Sequence, residues 1–454
     1  MNPKSFKGKK VTVVGLAKSG MAAAFLLKKL GAKVWATDSG DSQKLKEAKG
    51  FLEWKRIKVE VGGHTPGFVA GKDLIVISPG VPEDSQVLKW AAKHKVPVIG
   101  EVELGYLCCK APIVAVTGTN GKSTTTTLIG EILKKGGKRA VVCGNIGNPI
   151  CGEIAKVKKN SVVVLETSSF QLESVKTFRP HVAVVLNISQ NHFDRHPDLR
   201  AYINAKARIF ENQGKDDWAV LNYDDPLARR LKSRTKANAL FFSRKNKKAA
   251  AFFEDGSVFI GRGGKPQRIC GASELKIKGT HNIENVLACL CVASIFGISP
   301  KKIKEALVSF KGLEHRFEHV RTTRGVEFIN DSKGTTVLAT MMALESCAKP
   351  VILIAGGHDK GSDFRKARQV VGAKVKKLVL IGEAKEKIRE HLSGAAPYIF
   401  ADTMEDAVKK SFGEAEEGDC VLLSPMCASF DMFRNFEERG RVFKAIVRAL
   451  KEER

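Results

Sequence analysis

Short apolar runs alternate with longer amphipathic segments along the chain, and this pattern is clearest near the N-terminus. Residues 10–14 form a mainly apolar run that predicts a buried strand, and residues 34–37 predict a second one. Between them, residues 21–30 have the spacing of a helix, and Gly31 follows where glycine commonly ends helices. This strand–helix–strand order predicts a parallel sheet covered by helices.

The same order recurs further along the chain. Further buried strands are predicted at residues 73–77, 113–116, 162–165 and 182–186, each followed by a polar segment. A chain of 454 residues has the usual length of about three domains. We therefore predict an α/β protein with a Rossmann-like domain over 1–107, a central P-loop ATPase-like parallel sheet over 108–311 and a C-terminal Rossmann-like domain over 312–454.

A glycine-framed turn between a strand and a helix is the strongest chemical signal. Gly118 and Gly121 allow backbone N–H groups to turn inward, which is how such loops cradle phosphates. Lys122 adds a positive charge for the terminal phosphates of ATP, and Ser123 adds a hydroxyl for Mg²⁺. The two glycines enclose two residues, where the common P-loop has four. The alternative is a plain strand-to-helix turn that carries a surface lysine.

The first domain contains a second nucleotide signature. Residues 15–20 read G-x-A-x-x-G between a strand and a helix, and Asp38 closes the next strand. This pattern is typical of dinucleotide binding, with the pyrophosphate at the turn and the acid on a ribose. It predicts a nucleotide diphosphate ligand and leaves open an NAD-dependent oxidoreductase, although that function does not explain the phosphate loop.

Polar side chains follow the next two strands of the central domain. Glu166 ends one predicted strand, and His192 lies in the segment after the other. Parallel strands present their carboxyl ends at one edge of a sheet, so both residues are expected near the phosphate loop. Glu166 is a candidate ligand for the Mg²⁺ that Ser123 also contacts, with a helix N-cap or a salt bridge as its alternatives.

The net charge of +28 raises the question of nucleic-acid binding. The basic residues are spread along the whole chain, and short runs such as residues 244–248 are not interleaved with aromatic residues. A solvated basic surface that attracts anionic substrates fits this distribution better than a nucleic-acid groove. No helicase-like motif accompanies the phosphate loop, which disfavours a P-loop regulator or a nucleic-acid ATPase. We expect no nucleic-acid partner.

Nothing in the sequence predicts a membrane protein. It contains no apolar run of about 18 residues, and its N-terminus lacks the apolar stretch of a signal peptide. The ten cysteines form no C-x-x-C pair, so free thiols in a reducing compartment are expected. We predict a cytoplasmic monomer without a membrane partner.

Motifs along the whole chain resemble those of the Mur ligase family, which shares its short G-T-N-G-K-S-T loop with folylpolyglutamate synthases. Their order and spacing follow the D-glutamate-adding branch of the family. The central ones are residues 144–147 (GNIG), 166–173 (ETSSFQLE), 187–195, 202–209 and 279–285, and the later ones are 312–318 (GLEHRFE), 330–335 (NDSKGT), 356–360 (GGHDK), 423–433 and 435–440. Folate enzymes begin near the ATP loop, so the N-terminal Rossmann-like domain argues against them.

The resemblance implies a reaction and its cofactors. Members of this branch use ATP to join D-glutamate to UDP-N-acetylmuramoyl-L-alanine, through an acyl phosphate, in the synthesis of peptidoglycan precursors. The resemblance implies two Mg²⁺ ions and a carbamylated lysine, at Lys206, that acts as a metal ligand. An ordinary helix lysine is the alternative for Lys206.

The resemblance also assigns roles to individual residues. The implied catalytic residues are Lys122, His192, Lys206 and Lys333, and the implied metal ligands are Ser123, Glu166, His192 and the carbamate of Lys206. ATP contacts are implied for Gly118, Thr119, Asn120, Gly121, Lys122, Ser123, Thr124, Asn282, Asn285, Arg316, Asp331 and Lys333. Contacts to the UDP-substrate are implied for Lys18, Ser19, Ser39, Ser78, Gly80, Asn145 and Ser168, and contacts to D-glutamate for Thr335, Lys360, Ser429 and Phe436.

Alternatives and departures from the family pattern accompany these assignments. A buried salt bridge is the alternative for Arg316 and Asp331, and an exposed loop is the alternative for Lys360. Ser39 and Gly40 stand where the family more often has a Thr-Arg pair near the UDP group. Residues 189–191 read Ser-Gln-Asn where an acidic pair is more usual.

Overall fold

The computed structural model describes residues 3–189, 196–261, 265–359 and 361–451. The chain divides into two compact units, one ending at Phe310 and the other beginning at Lys311. The first unit contains two sheets and the second contains one.

The first sheet has five parallel strands in the order β3-β2-β1-β4-β5. The strands are β1 Lys10–Val14, β2 Lys33–Asp38, β3 Lys58–Val61, β4 Leu74–Ile77 and β5 Val98–Gly100. The helices are α1 Lys18–Lys29, α2 Gln43–Trp54, α3 Gln86–Lys93 and α4 Glu101–Cys108. The predicted strand–helix–strand order is confirmed, but α1 begins three residues before the predicted residue 21, because the turn after β1 ends at its N-cap Ala17. Gly31 follows the helix with a φ of 82°, a conformation that favours glycine.

The second sheet has nine strands in the order β14-β13-β12-β11-β10-β9-β6-β8-β7. They are β6 Ile113–Thr117, β7 Arg139–Gly144, β8 Ser161–Glu166, β9 Val182–Val185, β10 Trp218–Asn222, β11 Asn238–Ser243, β12 Ala251–Glu254, β13 Ser257–Ile260 and β14 Gln267–Gly271. The helices are α5 Lys122–Lys135, α6 Ile150–Glu153, α7 Ser169–Glu173, α8 Leu199–Ala207, α9 Pro226–Arg230, α10 Thr280–Ile295 and α11 Pro300–Ser309. Strands β6 to β12 run parallel, and β13 and β14 add an antiparallel edge. The central strands β6, β8 and β9 are buried along their whole length, with apolar clusters on both faces of the sheet.

The sheet of the second unit has the order β15-β16-β20-β17-β18-β19. Its strands are β15 Glu318–Thr323, β16 Val326–Asn330, β17 Val351–Gly356, β18 Val375–Ile381, β19 Tyr398–Phe400 and β20 Cys420–Leu423. Its helices are α12 Val337–Ser346, α13 Arg368–Lys374, α14 Lys385–His391, α15 Met404–Glu414 and α16 Phe436–Ala449. All neighbouring strands are parallel except β15 and β16. The three-domain α/β class predicted from the sequence is confirmed.

None of the described helices combines the length and the apolar character that a membrane crossing requires. All ten cysteines are free thiols, and nine of them are buried.

Two buried glutamates of α4 connect the first sheet to the second. The Glu103 carboxylate accepts hydrogen bonds from the backbone N–H groups of Lys176, Thr177 and Phe178, at 2.8 to 3.1 Å, and from the Thr177 hydroxyl. Glu101 Oε1 accepts one from the Cys151 N–H at 2.8 Å, whereas its Oε2 has no hydrogen-bond partner among the described residues. Burial raises the pKa of Glu101 to about 7.

This difference between neighbouring glutamates predicts opposite effects of the same substitution. Glu103→Gln places an amide NH₂ among donors and leaves some of them unpaired, so we expect the free energy of unfolding to fall by about 2–3 kcal/mol. Glu101→Gln is the matched control. Because the pKa of Glu101 is higher in the folded protein, stability is lost as the pH rises from the pKa of an unfolded glutamate to about 7. At pH 8 the native protein therefore buries a charged carboxylate, and the neutral glutamine should leave the melting temperature unchanged or raise it. Thermal unfolding of both variants at pH 8 checks this, and equal losses would contradict it.

Candidate active site

The phosphate loop connects β6 to α5 in the first unit. Gly118 has a φ of 155° and Gly121 a φ of 81°, both in the region that favours glycine. A Cβ atom on Gly121 would lie 2.2 Å from Asn285 Oδ1, so α10 approaches the loop too closely for any side chain there. The loop therefore has the open backbone that a phosphate cradle requires.

Lys122 folds back over this loop. Its Nζ donates to the carbonyl of Gly118 at 2.9 Å and to that of Thr119 at 2.7 Å. Asn187, which follows β9, also fixes the loop, because its Oδ1 accepts the Asn120 N–H at 2.8 Å. The positive charge predicted for the terminal phosphates thus lies at the loop itself.

A second lysine reaches the same carbonyl from α8. Lys206 is 1% exposed, and its Nζ donates to the Gly118 carbonyl at 2.9 Å and lies 4.6 Å from the centre of the Tyr202 ring. Burial, and then the charge of Lys122, hold the pKa of Lys206 well below its usual value, against the opposing influence of Glu166. A buried lysine of lowered pKa is more readily a neutral amine than an ordinary surface lysine.

Glu166 ends β8 beside these lysines and is 2% exposed. Its Oε1 accepts a hydrogen bond from Asn145 Nδ2 at 2.7 Å, but its Oε2 has no hydrogen-bond partner among the described residues. A buried carboxylate oxygen needs a donor or a cation, and oxygen is the ligand that Mg²⁺ prefers. The residues thus fit a magnesium ion, with Ser123 also buried at the start of α5.

The two alternatives for Glu166 are wrong within the described part of the chain. Ser168, and not Glu166, is the N-cap of α7, where it forms a capping box with Gln171. Glu166 forms no ion pair with a described lysine, arginine or histidine. Ser168, expected to contact the UDP-substrate, thus has a structural hydrogen bond as well.

Asn282 and Asn285 share one face at the start of α10, as their spacing predicts. Asn285 Nδ2 donates to Asn282 Oδ1 at 3.0 Å, and Asn285 Oδ1 accepts from the Thr125 hydroxyl at 3.2 Å. Asn285 therefore joins α10 to the helix of the phosphate loop. Thr119, expected to contact ATP, is joined through its hydroxyl to Ser189 and to Tyr202.

His192 lies outside the described residues, and so does Lys360. The structure adds a nearby histidine to which sequence reasoning gave no role. His196 is 4% exposed, with Nε2 3.0 Å from the Ser169 hydroxyl and Nδ1 3.5 Å from Glu173 Oε1. It directly follows the motif at residues 187–195, but only its burial against α7 indicates a structural role. Among the described residues, no group of three or more histidine, cysteine, aspartate or glutamate side chains could hold a metal ion.

The carboxyl edge of the first sheet carries five of the seven residues expected to contact the UDP-substrate, whereas Asn145 and Ser168 follow β7 and β8 of the second sheet. Lys18, Ser39 and Gly80 are exposed there, and Ser19 is half-buried. Ser78 is buried, and its hydroxyl donates to the Gly15 carbonyl at 2.8 Å.

Asp38 has a different role from the one in the dinucleotide pattern. Its Oδ2 accepts the Leu16 N–H at 2.7 Å and its Oδ1 accepts the Gly40 N–H at 2.9 Å. Both oxygens stabilise turns of the backbone, which weakens the NAD-dependent alternative, where this carboxylate holds a ribose.

In the second unit, Asp331 follows β16 and is enclosed by the protein. Its Oδ2 accepts from the Ser424 hydroxyl at 2.7 Å, and its Oδ1 accepts from the Phe317 N–H at 3.2 Å. Burial raises the pKa of Asp331 to about 7, although these hydrogen bonds and the charges of Arg316 and Arg439 act to lower it. Arg316 is thus close enough to affect the carboxyl group electrostatically.

Lys333 and Phe436 lie together in the same unit, with the Lys333 Nζ 4.1 Å from the centre of the Phe436 ring. Thr335 is half-buried, and its N–H donates to the Lys333 carbonyl at 2.8 Å. Ser429 is buried near the isolated bridge between His358 and Ala428.

Arg439 is a residue that sequence reasoning missed, although it lies in a quoted motif. It is 1% exposed, and its guanidinium donates to the Ser332 hydroxyl and carbonyl and to the carbonyls of Cys427 and Ala428. It therefore holds the segment with Lys333 against the segment before Ser429. An arginine in an amphipathic helix gives no sequence signal for such burial.

Three family models match successive parts of the chain. They describe the MurD-like N-terminal domain of Mur ligases at residues 9–100, the Mur ligase middle domain at 116–293 and the Mur ligase glutamate ligase domain at 315–427.

Curated relatives match the chain over nearly its full length. The UDP-N-acetylmuramoylalanine–D-glutamate ligase of Thermoanaerobacter sp. (strain X514) is 46% identical over 450 residues, which cover 98% of this chain and 99% of the relative. The protein of the same name from Pelotomaculum thermopropionicum is 44% identical over 452 residues, 99% of each chain. Among solved structures, UDP-N-acetylmuramate-alanine ligase MurC from Thermotoga maritima has a similar fold, with a TM-score of 0.60, 21% identity and coverage of 98% of this chain and 100% of that one.

Proposed function

Since the chain belongs to the Mur ligase family, we propose that it joins D-glutamate to UDP-N-acetylmuramoyl-L-alanine. The chain is an ATP-dependent ligase that forms an amide bond in peptidoglycan precursor synthesis. The observation that carries the choice of D-glutamate is its similarity, from end to end, to relatives that are named for this reaction.

The reaction balances in two steps. A carboxylate oxygen of the alanyl group attacks the γ-phosphorus of ATP, the bond to the β-phosphate oxygen breaks, and ADP leaves. The amine of D-glutamate then attacks the carbonyl carbon of the acyl phosphate, the amide bond forms, phosphate leaves, and the amine releases a proton. Both steps bring anions together, so the protein must mainly position groups and neutralise charge.

In our proposal, the phosphate loop positions ATP and neutralises part of its charge. The N–H groups of residues 118–124 and the ammonium of Lys122 bind the phosphates of ATP, and the arrangement of Gly118, Gly121 and Lys122 supports this role. Mg²⁺, when bound, neutralises the phosphate oxygens and polarises the γ-phosphoryl group. Ser123 and Glu166 would hold one Mg²⁺, and His192 would hold a second together with the carbamate proposed below.

We also propose that Lys206 becomes a carbamate that serves as a metal ligand. A neutral amine adds to CO₂, a C–N bond forms, and a proton is released to solvent. The support is the buried Lys206 amine, whose pKa is held low by burial and by Lys122. The product would be an anion close enough to Glu166 to interact with it electrostatically, and the two anions would need a cation nearby.

The remaining assignments are proposals that rest on the resemblance. Asn282, Asn285, Arg316, Asp331 and Lys333 contact ATP, with Lys333 catalytic. Contacts to the UDP-substrate come from Lys18, Ser19, Ser39, Ser78, Gly80, Asn145 and Ser168, and contacts to D-glutamate from Thr335, Lys360, Ser429 and Phe436. We propose domain boundaries after residues 107 and 311, a second Mg²⁺, a monomeric state and a cytoplasmic location.

An amino-acid panel tests the proposed substrate. With UDP-N-acetylmuramoyl-L-alanine and ATP, we expect ADP release with D-glutamate and little above background with L-glutamate. The reason is that a pocket which binds both carboxylates of one enantiomer misplaces the amine of the other. Equal activity with L-lysine or meso-diaminopimelate would assign the protein to another member of the family.

Substitution of Lys206 tests the carbamate. Lys206→Ala removes a metal ligand, and we expect the rate of ADP release to fall by about 100-fold or more. Acetate should restore part of this rate, because the metal needs an oxygen atom and not the lysine stem. Lys206→Arg should not respond to acetate, and Lys134→Ala, at an exposed position of α5, is the matched control. High activity of Lys206→Ala without acetate would remove the carbamate from the mechanism.

A further inference from the structure

His64 lies at the carboxyl edge of the first sheet and has no role in the site described above. It follows β3 by three residues. The loop that carries it is held against the end of β2, because the Gly63 N–H donates to the Asp38 carbonyl at 3.3 Å and the Gly62 N–H donates to the Gly40 carbonyl at 2.8 Å. His64 is therefore a neighbour of Asp38 and Ser39.

A chain of hydrogen bonds connects this histidine to a buried threonine and a glutamate. Thr37 is fully buried, and its Oγ1 lies 2.7 Å from His64 Nδ1 and 2.8 Å from Glu60 Oε1. The Glu60 carboxylate also accepts hydrogen bonds from the N–H and the hydroxyl of Thr65, at 3.0 and 2.8 Å. Glu60 thus acts as the acceptor of three hydrogen bonds.

This chain determines which nitrogen of His64 carries the proton. A carboxylate only accepts hydrogen bonds, so the single hydroxyl proton of Thr37 goes to Glu60. The Thr37 oxygen then accepts from His64, which places the imidazole proton on Nδ1. Burial lowers the pKa of His64, although Glu60 and Asp38 act to raise it, and this favours the neutral ring. Nε2 consequently has a free lone pair.

The lone pair of Nε2 is available to a ligand. His64 is half-buried, and its Nε2 has no hydrogen-bond partner among the described residues and is not among their buried unpartnered atoms. The network thus presents a fixed acceptor at the sheet edge.

The position of this acceptor matches that of a nucleobase. In sheets of this kind a diphosphate binds at the turn after the first strand, and the ribose lies over the end of the second. Here these places are residues 15–20 and the end of β2, and the loop with His64 lies beside the end of β2, next to the place of the ribose.

We propose that Nε2 of His64 accepts the N3–H of uracil and thereby selects a uridine nucleotide over a cytidine nucleotide. Uracil carries a hydrogen on N3, whereas N3 of cytosine is itself an acceptor and would oppose the lone pair of Nε2. This inference rests on the proposed function, because it concerns the recognition of the UDP-substrate. Glu60 and Thr37 are positioning residues that hold the tautomer.

Binding of free nucleotides tests the inference separately from the ligase reaction. The heats of binding of UDP and CDP are measured at pH 8, with the ATP site filled by a non-hydrolysable ATP analogue. We expect UDP to bind about 10- to 100-fold more tightly than CDP to the unmodified protein, which is the usual effect of one matched polar contact. In His64→Leu the affinities for UDP and CDP should differ by about 3-fold or less, since leucine accepts no hydrogen bond. His94→Leu, at an exposed position after α3, is the matched control and should keep the full ratio.

The pH dependence separates recognition from a purely structural role. Below the lowered pKa of His64, Nε2 carries a proton and becomes a donor, so the preference of the unmodified protein for UDP should decrease as the pH falls from 8 through that pKa. The charged groups that influence His64 are Glu60 and Asp38. This decrease should be absent in His64→Leu, and Glu60→Gln should reduce the preference at pH 8 because an amide no longer fixes the tautomer.

The outcomes distinguish the two proposals. If the unmodified protein prefers UDP but His64→Leu keeps that preference, the role of His64 is wrong and the proposed function stands. Full preference for UDP in Glu60→Gln at pH 8 would also overturn the inference, even if His64→Leu failed to fold. If neither UDP nor CDP binds, both the inference and the proposed UDP-substrate are wrong.

Discussion

The carbonyl of Gly118 accepts hydrogen bonds from two lysines, and the chemistry of the site depends on this shared acceptor. Two ammonium groups cannot be buried side by side without a large cost in solvation and repulsion. Lys206 is the more buried of the pair, so its pKa is lowered and the neutral amine is favoured there. In our proposal, the loop thereby has one charged lysine for phosphate and one amine that reacts with CO₂.

The backbone around this carbonyl makes the arrangement possible. Gly118 and Gly121 adopt positive φ angles, and Asn285 fills the space that a side chain on Gly121 would need. The parallel order of β8, β6 and β9 then brings Glu166 and Asn187 to the same edge. One oxygen of the buried Glu166 carboxylate has no hydrogen-bond partner among the described residues, and a cation at this edge would provide one.

The sequence predicted the features that depend on local pattern, and it missed those that depend on packing. The phosphate loop and the first strand–helix–strand unit were predictable, because glycine spacing and apolar runs act over a few residues. The use of Asp38 to hold two turns was not, since the same Gly-rich turn and aspartate serve a ribose in other proteins. The burial of Arg439 was not predictable either, because a helix contact with distant carbonyls leaves no trace in local spacing. Roles taken from the family resemblance, such as those of Thr335 and Ser429, remain predictions.

The central claim is that the environment of Gly118 turns Lys206 into a carbamate-forming amine. Carbon-13 NMR of the protein with ¹³C-labelled bicarbonate and Mg²⁺ tests it directly. The account predicts a carbamate carbon resonance that is present in the unmodified protein and in Lys134→Ala and absent in Lys206→Arg. The absence of that resonance in the unmodified protein, or its persistence in Lys206→Arg, would contradict the account.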